Sequence, residues 1–214
     1  MIIAGIEEAG RGPVIGPLVM AIAAVDEKDE FKLKAVGVKD SKLLSPAQRQ
    51  RIFNEIKDLC KYELIKISPE EVDKAVESDD SNLNWLEADK AVILINKVKP
   101  NKVILDCPST NLNEYKKYIQ KKLNYKPKLV VEHKADLKYT IVAAASILAK
   151  VARDNEIKKL KAKHKVDFGS GYPSDPLTIE FTRKNYNKYP FFRKSWDTWQ
   201  KAIKLGGQKK LGEF

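Results

Sequence analysis

Two apolar runs near the N-terminus, IIAGI at residues 2–6 and PLVMAIAAV at 17–25, most constrain the fold. Each has the length of a strand rather than a helix, and their short separation predicts a hairpin. Between them the segment EEAGRGP reads as a turn rich in glycine and proline. Residues 62–67 (YELIKI) alternate like a half-buried strand, and 102–106 (KVILD) and 128–132 (KLVVE) are short apolar strands. Helical stretches separate these later strands. Ser45-Pro46-Ala47-Gln48 is a helix start, with Ser45 as cap, Pro46 in the first turn and Gln48 completing a capping box. Ser68-Pro69-Glu70-Glu71 is a second start. Helices are expected over 84–98, over an Ala-rich stretch of about 138–164, and from Leu177 onward. Early strands adjacent in sequence, followed by strands separated by helices, imply an α/β domain with a mixed sheet. The C-terminal stretch adds helices.

A chain of 214 residues suits one domain with a sizeable core and a small extension. No internal repeat or low-complexity linker interrupts it. No apolar run has the length of a membrane span, and MIIAGIEEAG lacks the basic start of a signal peptide, so no membrane partner is expected. Cys60 and Cys107 have no metal-ligand spacing and form no disulfide framework, which fits a reducing, cytoplasmic setting. The net charge of +11 suits a polyanionic partner, because lysine and arginine gain affinity by releasing counterions from phosphates. The same charge also reads as a solvated Lys- and Glu-rich surface of the hyperthermophile kind.

Four acids stand where apolar strands end or helices begin: Glu7, Glu8, Asp106 and Asp136. A carboxylate in such a place is costly unless it is solvated, paired or bound to a cation. Hard cations take oxygen ligands, so acids at adjoining strand ends suit one or two divalent ions that assist phosphodiester cleavage. Glu7 and Glu8 point to opposite faces of a regular strand, and both serve one site only if the strand ends or bulges there. Taken singly, each acid reads more readily as a helix cap or a surface charge than as a metal ligand. Spacing alone does not bring them together.

The motifs GIEEAGRGPVIGP (5–17), KDSKLL (39–44), VILD (103–106), HKAD (133–136), AAASILAKVARD (143–154) and SGYPSDP (170–176) resemble ribonuclease HII, in particular its archaeal branch. They run in order through almost the whole chain and are long and specific. The resemblance implies a ribonuclease H-like fold, with a catalytic domain over 1–165, a helical subdomain over 166–207 and a tail over 208–214. It implies cleavage of the RNA strand of RNA–DNA hybrids, and cleavage 5′ to ribonucleotides embedded in duplex DNA. The products would be a 3′-hydroxyl and a 5′-phosphate, formed by two-metal chemistry with Mg²⁺ or Mn²⁺, as in ribonucleotide excision repair. Glu8, Asp106 and Asp136 fall on three of the family's metal-binding acids and Glu7 on the fourth. The family's pattern there is DEAGRG, with Asp where this chain has Glu7. The extra methylene displaces the carboxylate by roughly 1.5 Å, and Mg²⁺ is strict about its geometry.

The same resemblance makes the Gly10-Arg11-Gly12 turn a ribose sensor, since backbone groups there can bond a 2′-hydroxyl, with Arg11 near a phosphate. Tyr172 matches a tyrosine that stacks on the sugar at the RNA–DNA junction. Lys39, Ser41 and Lys42 are placed near phosphates, although a solvated loop explains these three equally well. Lys150, Arg153, Lys158, Lys159, Lys161, Lys163 and Lys165 spread around one helix and read mostly as surface charge. Trp196 and Trp199 read as core of a C-terminal helix, and His133 and His164 form no ligand pair.

The chain closes on Gln208-Lys209-Lys210-Leu211-Gly212-Glu213-Phe214, which resembles the clamp-binding box of replication proteins. A 3₁₀ turn would put Leu211 and Phe214 on one face, with Gln208 as a polar anchor; a frayed basic tail is the alternative. The expected partners are thus nucleic acid and a sliding clamp, and the chain itself is expected to be a monomer. Two rival readings stand beside the nuclease. One is a hybrid-binding protein whose catalysis is weakened by Glu7. The other is a different nuclease on the same fold, such as a junction resolvase, against which the GRG turn and SGYPSDP loop argue.

Overall fold

A computed structural model describes residues 1–39 and 44–209, with backbone alone for 206–209. The described chain clusters into two compact units that interleave in sequence. The first comprises Met1–Ala9, Val19–Lys66 and Leu83–Ala152; the second comprises Gly10–Leu18, Ile67–Asn82 and the chain from Arg153 onward.

The first unit is built on a five-stranded sheet of order β3-β2-β1-β4-β5. Its strands are β1 (Ile2–Ala9), β2 (Leu18–Asp26), β3 (Lys61–Ile67), β4 (Lys102–Asp106) and β5 (Lys128–Glu132). β1 and β2 form the expected antiparallel hairpin, while β4 runs parallel to β1 and β5 parallel to β4. The sheet is therefore mixed, as the pattern of adjacent and helix-separated strands implies. Helices α1 (Glu30–Ala35), α2 (Pro46–Leu59), α4 (Leu83–Val98), α5 (Leu112–Lys122), α6 (Ala135–Lys138) and the first half of α7 (Thr140–His164) accompany it. α3 (Pro69–Val76) belongs to the second unit.

Local sequence explains most of these boundaries. Ser45 and Ser68 each close a capping box, with Gln48 and Glu71 as the reciprocal partners. The alanine-rich start of α7 is buried throughout from Ile141 to Leu148 and fills the core beneath the sheet. Small side chains are needed there because the helix approaches β1 closely. A Cβ at Gly5 would meet the Ile141 carbonyl and the Val142 amide.

One expectation needs correction. The turn does not begin at Glu7: β1 continues to Ala9, paired one-to-one with β2 as far as Ala9↔Val19. Backbone pairing with β2 outweighs the turn propensity of the glycines that follow. The Ala-rich helix expected over about 138–164 is α7, preceded by the short α6, and α1 and α5 are additional helices. α5 escapes a periodicity reading because only Tyr115 and Ile119 of its eleven residues are buried.

The second unit packs Val14, Ile15, Ile157, Phe168, Phe191 and Phe192 into one core. Phe181, Tyr189, Trp196 and Trp199 lie partly buried against it; Trp199 is on the C-terminal helix as expected, whereas Trp196 precedes it. α8 (Pro176–Asn185) is capped by Asp175, whose side chain accepts from the Leu177 amide. α9 (Asp197–Lys209) follows.

Candidate active site

Parallel pairing brings the strand-end acids together. Asn101 ties the starts of three strands: it accepts from the Lys128 amide through its carbonyl, donates its own amide to the Ile2 carbonyl, and accepts from the Ile2 amide through its side chain. With the starts aligned, Ile6 pairs with Leu105 and Asp106 with Glu132. Glu7 and Asp106 are the next residues along their neighbouring strands. After β5 the chain turns sharply through Lys134, which adopts a left-handed conformation (φ 54°). The Lys134 amide then donates to Asp106 Oδ1 at 3.1 Å and the Asp136 amide to Asp106 Oδ2 at 3.4 Å.

The result is a cluster in which ligand oxygens of Glu7, Asp106 and Asp136 all lie within 4.8 Å of one another. Asp136 is buried; Glu7 and Asp106 are half-buried. Burial, reinforced by the negative charges of Glu8, Asp106 and Asp136, pushes the Glu7 carboxyl well above the usual carboxylate range. Burial and the neighbouring Asp136 charge also raise Asp106, against the opposing pull of the two backbone amides. Glu7 Oε2 is buried without a hydrogen-bond partner among the described residues. Three clustered oxygen donors, one of them without a hydrogen-bond partner among the described residues, suit a hard divalent cation.

Glu8 is not one of the three. β1 shows neither an end nor a bulge at Glu7, so the alternation of side chains holds through this pair. Its charge nevertheless reaches both Glu7 and Cys107. The exposed His133 bonds the Cys107 carbonyl through Nδ1 at 3.1 Å. A carbonyl only accepts, so Nδ1 carries the proton.

The remaining candidates with described positions belong mostly to the second unit. Gly10 takes a left-handed conformation (φ 82°), and a side chain there would collide with the Pro17 carbonyl and with Arg153. Tyr172 is 37% exposed, in a loop shaped by Gly169 and Gly171 at positive φ. Asp175 accepts from the Ser170 amide at 2.6 Å, and the Gly171 amide donates to Thr178 Oγ1 at 3.0 Å. Arg153 corrects its reading as surface charge: it is buried, donates to the Ser170 carbonyl at 3.0 Å, and lies 4.8 Å from the Tyr172 ring centre. Its long stem sits under the turn and the loop, an arrangement that helical spacing alone does not reveal. Lys39 is exposed. Ser41 and Lys42 lie outside the described residues, as do Leu211 and Phe214, and of Gln208 only the helical backbone is described.

Comparison with known proteins shows the family and the fold. The model of the family "Ribonuclease HII" matches residues 4–199. The ribonuclease HII of Pyrococcus furiosus is 46% identical over 208 residues, covering 94% of this chain and 91% of that protein. The crystal structure of the ribonuclease H2 from Pyrococcus horikoshii OT3 superposes with a TM-score of 0.88 at 43% identity, covering 96% of this chain and 98% of the other. The ribonuclease HII in the PCNA complex from Archaeoglobus fulgidus gives 0.84 at 38% identity, covering 92% and 96%. The mixed five-stranded sheet with flanking helices is thus the ribonuclease H-like fold, and the chain belongs to the ribonuclease HII family of ribonuclease H enzymes.

Proposed function

We propose that this enzyme cuts the RNA strand of RNA–DNA hybrids and also cuts 5′ to ribonucleotides embedded in duplex DNA, leaving 3′-hydroxyl and 5′-phosphate ends. The observation that carries the reading is the convergence of Glu7, Asp106 and Asp136 in a chain of this family. These residues would hold Mg²⁺ or Mn²⁺, and the Glu8 charge adds to the negative field at Glu7. The cations would neutralise the phosphate and activate water in a two-metal displacement. Lys134 and Asp136 contribute through their amides, which orient the Asp106 carboxylate. Burial of Glu7 keeps bulk water from satisfying its charge and so favours the bound cation.

In the second unit, the Gly10–Gly12 turn would read the ribose and Tyr172 would stack on the junction sugar. Arg11 and Lys39 would approach phosphates, with Ser41 and Lys42 completing that set. Arg153 acts from beneath, holding the Tyr172 ring by its guanidinium face. Asp136→Asn should abolish cutting, by about 10³-fold or more, while hybrid binding persists. Undiminished cutting by this variant would contradict the reading.

A second reading rests on Glu7 itself. The longer side chain, half-buried where the family's pattern has Asp, suits a protein that binds hybrids but cleaves slowly. If so, Glu7→Asp should raise the Mg²⁺-supported rate by up to about 10²-fold; an unchanged or lower rate removes this reading.

The tail supplies the partner proposal. A related ribonuclease HII, from Archaeoglobus fulgidus, has a solved structure in complex with PCNA, and Gln208, Leu211 and Phe214 have the spacing of a clamp-binding box. Deleting residues 208–214 should abolish clamp binding and leave cleavage of short duplexes intact. Unchanged clamp affinity in the truncated protein would contradict this.

A further inference from the structure

The Gly10-Arg11-Gly12 turn has its carbonyls held by side chains from one short segment. Arg193, fully buried between α8 and α9, donates Nη2 to the Gly10 carbonyl at 2.6 Å and Nη1 to the Arg11 carbonyl at 2.8 Å. It also reaches the Gly16 carbonyl through Nε at 3.1 Å and Nη2 at 3.0 Å. Trp196 donates Nε1 to the Gly12 carbonyl at 3.0 Å, with its ring 4.9 Å from the Arg193 guanidinium. Three successive carbonyls are therefore fixed. The segment that fixes them is itself anchored. The Arg193 amide donates to the Val14 carbonyl at 2.8 Å. The next two amides, Lys194 and Ser195, donate to the buried Asp73 carboxylate at 2.8 and 3.0 Å, and the Ser195 hydroxyl adds a third bond at 2.6 Å.

We infer that Arg193, backed by Trp196 and Asp73, is a positioning residue that presets this turn and thereby sets discrimination between ribose and deoxyribose. The inference rests on the proposed role of Gly10–Gly12 as ribose reader. A planar trans peptide holds its N–H opposite its C=O. Tying the Gly10 and Arg11 carbonyls to Arg193 therefore fixes the direction of the Arg11 and Gly12 amides, and Pro13 has no amide to fix. A turn with two glycines has many backbone conformations of similar energy. The guanidinium fork selects one before substrate arrives. Lysine cannot replace it, because a single ammonium on a flexible stem does not span carbonyls from three residues.

The test compares wild type, Arg193→Lys and Trp196→Phe on duplexes carrying one ribonucleotide or one 2′-fluoro nucleotide. Cleavage is measured as kcat and KM, together with Tm and divalent-cation binding by calorimetry. Trp196→Phe removes one hydrogen bond and keeps an aromatic ring under the guanidinium. Arg193→Lys should lower kcat/KM at the ribonucleotide by about 10²-fold, and Trp196→Phe by about tenfold. In both variants the preference for ribose over 2′-fluoro should narrow while cation binding stays as in wild type. If Arg193→Lys fails to fold, Trp196→Phe decides alone. Folded variants that keep the wild-type preference would overturn the positioning role and leave the ribonuclease reading intact. A wild type that cuts both duplexes alike would instead overturn the ribose-reading turn, and this inference with it.

Discussion

Glu7 carries a carboxylate into a place where burial and the charges of Glu8, Asp106 and Asp136 all oppose its ionisation. This has a thermodynamic consequence in the absence of cations. The folded protein keeps a proton on Glu7 at a pH where the unfolded chain has released it. The native state then binds more protons, so this contribution to stability is present below the ordinary carboxylate pKa of about 4.3 and is lost as pH rises through the higher folded value. Glu7→Gln cannot lose it. In chelator, the Tm of wild type relative to Glu7→Gln should fall as pH rises, and Mn²⁺ or Mg²⁺ should restore the wild type most at the high end. A difference that stays flat with pH would contradict the buried, repelled carboxylate. Arg153 offers a second test. Arg153→Met keeps the length of the stem but loses the bond to the Ser170 carbonyl and the contact with the Tyr172 ring. A cation–π contact of about 0.5–2 kcal/mol corresponds to a KM increase of about 2–30-fold on a single-ribonucleotide duplex, with kcat changed less. An unchanged KM would show that the ring needs no such support.

The strands place the site, and their placement depends on close packing. Gly5 sits where β1 meets the backbone of α7 at Ile141 and Val142. Gly5→Ala should cost about 1–3 kcal/mol, several degrees of Tm, because backbone cannot yield as a side chain does. A Tm within a degree of wild type would contradict that contact. The same elements show what a sequence reveals. The capping boxes at Ser45 and Ser68 and the apolar runs of β1, β2, β4 and β5 are written in a few adjacent residues, so their helices and strands were legible. Asp106 and Asp136 were recognisable as candidates by motif, but their convergence with Glu7 depends on parallel pairing and on the left-handed Lys134, neither of which leaves a local signal. Arg193 was not legible at all: its partners at Gly10, Arg11 and Gly16 lie more than 170 residues away. Arg153 was misread because helical spacing says which residues share a face, not which face is covered by a loop arriving later in the chain.

The two units interleave in sequence, so each is completed only when distant segments have returned to it. The acids belong to one and the Gly10–Gly12 turn, proposed as the ribose reader, to the other, with only Ala9 separating Glu8 from Gly10 along the chain. A net charge of +11 accompanies this arrangement, and duplex binding by a cleavage-deficient Asp136→Asn protein should weaken by about tenfold or more between 50 and 200 mM salt. Affinity that does not change with salt would mean that the lysines serve solubility rather than phosphate contact. The proposal that matters most is metal-dependent cleavage at a ribonucleotide. The most direct measurement maps the cut on a DNA duplex carrying one ribonucleotide, in Mg²⁺, in Mn²⁺ and in chelator. A single cut 5′ to the ribonucleotide, present with either cation and absent in chelator, is the outcome this account predicts. Tight binding without a cut in either cation, or cutting that persists in chelator, would contradict it.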